Sequence, residues 1–120
     1  MENESKKIRN LLHTDDFDEF YNSLEGKAVE KMDEAILYLE TIPVLSTKFV
    51  KIISGTVQSL YELRVSVSFN EYRTIIFSAN YKNIIQATEI ILLNGFLKKS
   101  TKDYDKQIKK ATRILNNLEL

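Results

Sequence analysis

The sequence predicts an α+β domain in which helices pack on one face of an antiparallel sheet. Three observations carry this. Residues 61–69 alternate cleanly, with Tyr61, Leu63, Val65, Val67 and Phe69 apolar against Glu62, Arg64, Ser66 and Ser68. That period of two marks a strand with one buried face. Residues 27–40 and 103–118 instead repeat their apolar positions every three or four residues, the helical spacing. With three glycines and one proline in 120 residues, there is little room for a linker, and one domain over 1–120 is expected.

In order along the chain, residues 8–13 read as a short strand. Residues 14–19 read as a helix start, Asp16 having Glu19 three positions on. The carboxylates there complement a helix N-terminus, a simpler explanation than a metal site. Phe17, Phe20, Tyr21 and Leu24 give this helix an apolar face. After Gly26, Ala28, Val29, Met32, Ala35, Ile36 and Leu39 define a second helix to about residue 40, which Pro43 ends. Phe49, Val50, Ile52 and Ile53 suggest another helical turn, then a loop at Gly55. The strand at 61–69 is followed by Asn70-Glu71, read as a hairpin turn, and a return strand over 72–79. Residues 80–83 are turn-like. Residues 84–97 hold one long strand, or a short one after a loop, with 89–93 as a central strand's core and Asn94-Gly95 as an interruption. Tyr104, Ile108, Ala111, Leu115 and Leu118 form one face of a final helix. The expected order is β-α-α-β-β-β-α.

Composition excludes several chemistries. With no cysteine there is no disulfide framework or thiolate metal site, and the single His13 excludes HExxH. His13 reads as a surface residue beside an acidic cluster. Phosphate-binding loops (GxxxxGK[ST], GxGxxG) and the GxSxG elbow do not occur. The start, MENESKKIRN, lacks an apolar core for a secretory signal, and the longest aliphatic run, residues 90–93, cannot span a bilayer. A cytoplasmic protein without membrane, metal or cofactor is expected. The formal net charge of +0 hides a polarity, because residues 1–45 carry eleven acidic and five basic side chains and residues 46–120 six and twelve. That polarity fits either an anion-binding face or a solvated basic helix.

The residues offering chemistry are cations on strands. Arg64 points away from its strand's apolar face, Arg73 lies just past the hairpin turn, Lys98 and Lys99 leave the last strand, and Tyr104 opens the final helix. Together they would form a cationic pocket in which guanidinium and ammonium groups stabilise charge developing on a phosphate without a metal. In RNA the 2′-hydroxyl can itself attack, so a base, a charge clamp and a leaving-group acid suffice. A lysine crowded by cations can serve as that base. The competing reading pairs Arg64 and Arg73 with Glu62 and Glu71 as cross-strand ions.

The chain resembles the RelE superfamily of toxins, specifically its phage-derived, HigB-like group, over about residues 8–118. The matching pieces are Phe17-Asp18-Glu19-Phe20-Tyr21, Gly55, Leu60-Tyr61-Glu62-Leu63-Arg64 and Tyr72-Arg73. The run from Leu92 through Gly95, Phe96, Lys98 and Lys99 to Lys102 follows, and then Ile108, Ala111 and Arg113. The resemblance implies a small antiparallel or mixed sheet with N-terminal helices packed on it and a C-terminal helix. It also implies a type II toxin–antitoxin module, metal-independent mRNA cleavage on the ribosome by 2′-hydroxyl attack, and a cognate helix-turn-helix antitoxin (HigA-like) through which operator DNA is bound. On that basis Arg64, Arg73, Lys98 and Tyr104 resemble catalytic residues, and Lys99, Lys102 and Lys106 RNA-binding ones. Asn94 stands where many relatives have histidine, Tyr61 replaces tryptophan, and Glu62 falls where some carry lysine. The alternatives are a non-nuclease protein of the same fold, either a ParE-like gyrase poison or a catalytically silent antitoxin-binding protein.

Overall fold

In the computed structural model, which describes residues 6–56 and 58–118, β3 (Leu60–Val67) and β4 (Asn70–Ser78) form the expected hairpin. Its turn lies two residues earlier than the sequence suggests. Val67 pairs with Asn70, so Ser68-Phe69 is the loop and Asn70-Glu71 already belongs to β4. Ser68 takes the positive φ of 57° that a two-residue primed turn requires at its first position, and Phe69 is fully exposed at the tip. Phe69 therefore ends the apolar alternation without joining the core.

The order along the chain is β1 (Asn10–His13), α1 (Asp15–Asn22), α2 (Lys27–Thr41), β2 (Val50–Ile52), β3, β4, β5 (Glu89–Leu97) and α3 (Thr101–Asn117). The extra strand is β2. Residues expected to make a helical turn pair antiparallel with β3 instead, Val50 opposite Leu63, because β-branched residues beside an unpaired strand edge complete a ladder. Five strands run in the order β1-β5-β4-β3-β2, and β1 is parallel to β5, so the sheet is mixed. The α+β class and the flanking N- and C-terminal helices agree with expectation.

The packing on one face does not. Helices cover both faces of the sheet. Phe17, Ala28, Met32 and Leu39 of α1 and α2 pack against Tyr61, Leu63, Val65, Ile76, Ile90 and Leu92. Ala111 and Leu115 of α3 pack against Leu60, Ile75, Ile91, Leu93 and Phe96 on the opposite side. Beneath α3, the polar-looking Glu62 of β3 is therefore buried.

Asn94-Gly95 does not interrupt β5. Pairing shifts between Ile75 (opposite Asn94) and Ile76 (opposite Leu92), leaving Leu93 as the extra residue of a bulge. The bulge resets the alternation. Asn94 faces α3, where its amide donates to the Gln107 side chain at 3.1 Å. Gly95 faces α1, where any Cβ would overlap the ring of Phe20. The absence of a side chain thus lets α1 settle on the strand.

The helix caps follow local chemistry. Thr14, not Asp16, caps α1: its hydroxyl accepts from the Phe17 amide at 3.1 Å and donates to the Leu93 carbonyl at 2.5 Å. One side chain thereby starts the helix and ties it to β5. At the far end of α2, buried Arg9 donates to the carbonyls of Leu39, Ile42, Pro43 and Ile85 at 2.7–3.1 Å. A cation there satisfies the carbonyls that the helix end leaves open.

Candidate functional site

The alternation in β3 places Glu62 and Arg64 on the α3 face, and the hairpin register sets Arg64 directly opposite Arg73. Like charges opposed in a ladder repel. Glu62 resolves the conflict. The residue is 3% exposed, and its carboxylate accepts from Arg64 Nε at 2.8 Å and lies 3.7 Å from Arg73 Nε. From the helix above, the Tyr104 hydroxyl donates to its other oxygen at 2.5 Å. Lys98 completes the group with its ammonium 5.2 Å from the centre of the Tyr104 ring. Phe96 supports that ring from the strand, 6.0 Å between centroids.

Of the four residues expected to form a pocket, Arg64, Arg73 and Tyr104 meet around the Glu62 carboxylate, and Lys98 joins them through the Tyr104 ring. Both readings of the cations hold in part: Arg64 and Arg73 converge, and they pair with Glu62 and Glu71. Arg73 is nearly buried, with Nη1 donating to Glu71 at 3.2 Å and to its neighbouring carbonyl, Tyr72 O, at 3.0 Å. Its Nε is buried without a hydrogen bond among the described residues. Arg64 is more open, its side chain 29% exposed, and only its Nε is engaged. The terminal nitrogens of Arg64 donate to no described residue.

Electrostatics follow from these contacts. Burial would raise the Glu62 carboxyl, but hydrogen bonds from Tyr104 and Arg64 and the charges of both arginines outweigh it and hold it below the usual carboxylate range. Burial, and then the bond to Glu62, push the Tyr104 phenol well above its ordinary value. Tyr104 therefore stays protonated and donates to Glu62. The Glu71 carboxyl is lowered first by the Ser66 hydroxyl and then by Arg73, against a partial effect of burial.

Lys99, Lys102 and Lys106 are exposed around the start of α3 and join none of the ion pairs among the described residues. Asn94 is buried beneath α3 against Gln107 and offers no accessible group. His13 is on the surface as expected, bonded to Asp18 at 2.6 Å. Among the described residues no group of acidic and imidazole side chains could hold a metal ion, and no helix is long and apolar enough to cross a membrane.

Sequence reading missed the central place of Glu62. Its signal was available, since 62 and 64 share a face of β3, but the register to Arg73 depends on a turn at 68–69. Also missed was a groove of about 540 Å³ beside the cluster, between α2, the residues leading into β2 and the outer edge of β3.

The model of the family described as Phage derived protein Gp49-like (DUF891) matches residues 15–116, and the chain belongs to that family, which is associated with RelE-like toxins. No curated protein and no solved structure matches the chain.

Proposed function

We propose that this protein is the toxin of a type II toxin–antitoxin module and cleaves ribosome-bound mRNA without a metal. The observation that carries the reading is the convergence of Arg64, Arg73, Lys98 and Tyr104 on one face of the sheet at the start of α3. In the proposed reaction the 2′-oxygen attacks phosphorus and gives up its proton to a base. The bond from phosphorus to the 5′-oxygen breaks, that oxygen takes a proton, and a 2′,3′-cyclic phosphate remains.

Arg64, with its terminal nitrogens uncommitted, is assigned to the charge on the phosphate. Lys98, exposed at the rim, is assigned the proton exchange. Arg73 and Tyr104 act through Glu62 as positioning residues. The Arg73 ion pair and the Tyr104 hydrogen bond to Glu62 hold the Arg64 guanidinium and the aromatic surface beneath Lys98. Lys99, Lys102 and Lys106 extend the positive surface along the strand's path. A cognate helix-turn-helix antitoxin is the proposed partner.

Glu62 favours a second reading, a catalytically silent protein that retains antitoxin binding, because the carboxylate already offsets charge that a phosphate would need. Expression in a bacterium separates the two. Growth arrest by the wild-type chain, relieved by Arg64→Ala and by Lys98→Ala, is the expected result. No arrest, or arrest unchanged when both are removed, would refute the nuclease reading.

A further inference from the structure

The groove beside the cluster has a composition that the cleavage site alone does not explain. One wall is aromatic: Tyr38 of α2 and Phe49 meet edge to face at 5.5 Å between centroids, and Phe49 remains 43% exposed. The Lys48 ammonium stands 5.8 Å from the Phe49 ring centre. The other wall is cationic, ending at Arg64 and Arg73. The carboxylates that reach the groove already have partners, Glu34 with Lys31 at 3.7 Å and Glu71 with Arg73 at 3.2 Å. Lys48 joins no ion pair among the described residues. A surplus of positive charge beside a partly open aromatic face is the pairing that binds a single nucleotide of an unpaired strand.

The floor adds hydrogen-bonding groups. The Arg64 amide points outward and donates to the Phe49 carbonyl at 2.7 Å, where β2 begins. By the two-residue repeat of a strand, the amide and carbonyl of Ser66 point outward too, at a position past the start of β2. They give a donor and an acceptor at the height where a base edge would lie.

We infer that this groove seats one nucleobase of a single-stranded RNA against Phe49 and Tyr38, with the adjoining phosphate on Lys48 and the free terminal nitrogens of Arg64. The inference rests on the nuclease reading for the identity of the strand as RNA. Arg64 then serves both places, its Nε on Glu62 and its outer nitrogens toward the strand, so that the groove fixes the nucleotide next to the scissile bond.

The test is anisotropy of a fluorescein-labelled single-stranded hexaribonucleotide of mixed sequence with the purified chain, without ribosomes. Phe49→Ala is expected to weaken binding about tenfold, in line with one lost stacking contact, and Phe49→Tyr to restore it. Lys48→Ala is expected to weaken binding and reduce its salt dependence by about one phosphate contact. Lys82→Ala, on the loop after β4, leaves binding unchanged. An abasic strand of equal length should bind as weakly to the wild type as the intact strand does to Phe49→Ala.

Equal affinity for abasic and intact strands, or no loss in Phe49→Ala, would overturn the inference. So would displacement of the RNA by a hexaglutamate peptide at equal concentration, which would make the groove a peptide site. Cleavage of ribosome-bound mRNA is scored separately. Base-dependent binding without cleavage keeps the groove and removes the nuclease reading, and cleavage with base-independent binding does the reverse.

Discussion

The two faces of the sheet are built from the same strands and do different work. Facing α1 and α2, the odd positions of β3 are all apolar, and Leu63 is fully buried among Met32, Leu39 and Ile76. Facing α3, apolar packing holds only along part of the helix. Leu60, Ile75 and Leu93 lie beneath Ala111 and Leu115, whereas toward the start of α3 the surface turns polar, with Glu62, Arg64, Arg73 and Tyr104. One face sets stability by volume and the other holds charges in place. A strand with period-two alternation can supply both because its two sides answer to different partners.

Removing a charge from the polar face should cost as much as removing volume from the apolar one. Glu62→Ala leaves two opposed arginines without their shared carboxylate and is expected to destabilise by about 3–5 kcal/mol in urea titration. Leu63→Ala is expected to cost about 2–5 kcal/mol through its cavity. A Glu62→Ala variant as stable as wild type would erase the distinction between the faces. Gly95→Ala, which drives a methyl into Phe20, is expected to lower stability by about 1–3 kcal/mol as α1 shifts.

The acid side of the stability curve sharpens the comparison. The Glu62 carboxyl lies lower in the folded chain than its ordinary 4.5, so its contribution is complete above that value and is lost as pH falls through the lower, folded one. Glu62→Gln is expected to flatten the loss of stability below about pH 4.5 while Glu71, also lowered, leaves a residual slope. A slope unchanged by Glu62→Gln would assign the acid sensitivity elsewhere. The smallest effect is expected at a surface ion pair between side chains of α3 and α1. Lys110 and Asp16 lie 3.6 Å apart and are substantially exposed, so Asp16→Ala should change stability by less than about 0.5 kcal/mol.

The fold was largely legible because its signals are local. Alternation in 61–67, helical spacing in α2 and α3, and Gly26 and Pro43 as breakers each reflect one element's own burial. What failed depended on neighbours. Residues 50–52 become a strand only because β3 offers an unpaired edge, and Asn94-Gly95 stays inside β5 because a bulge turns each residue toward the helix that fits it. That α3 crosses to the opposite face is a matter of topology and has no marker in the chain. Within the site, the convergence of Arg64, Arg73, Lys98 and Tyr104 was expected from strand positions and family resemblance. The carboxylate among them was visible as a possible ion-pair partner of the arginines but not as the centre of the cluster, since its three partners come from three different elements.

Cleavage by purified protein tests the central proposal most directly. Ribosomes programmed with a defined mRNA are incubated with the wild-type chain, Arg64→Ala and Lys98→Ala. The new 5′ ends are mapped by primer extension, and the new 3′ ends are read by their need for polynucleotide kinase before ligation. Discrete cuts leaving a 2′,3′-cyclic phosphate, present with wild type and lost by at least about 100-fold in both variants, are the expected result. Intact transcripts with the wild-type chain, or equal cutting by the variants, would contradict it.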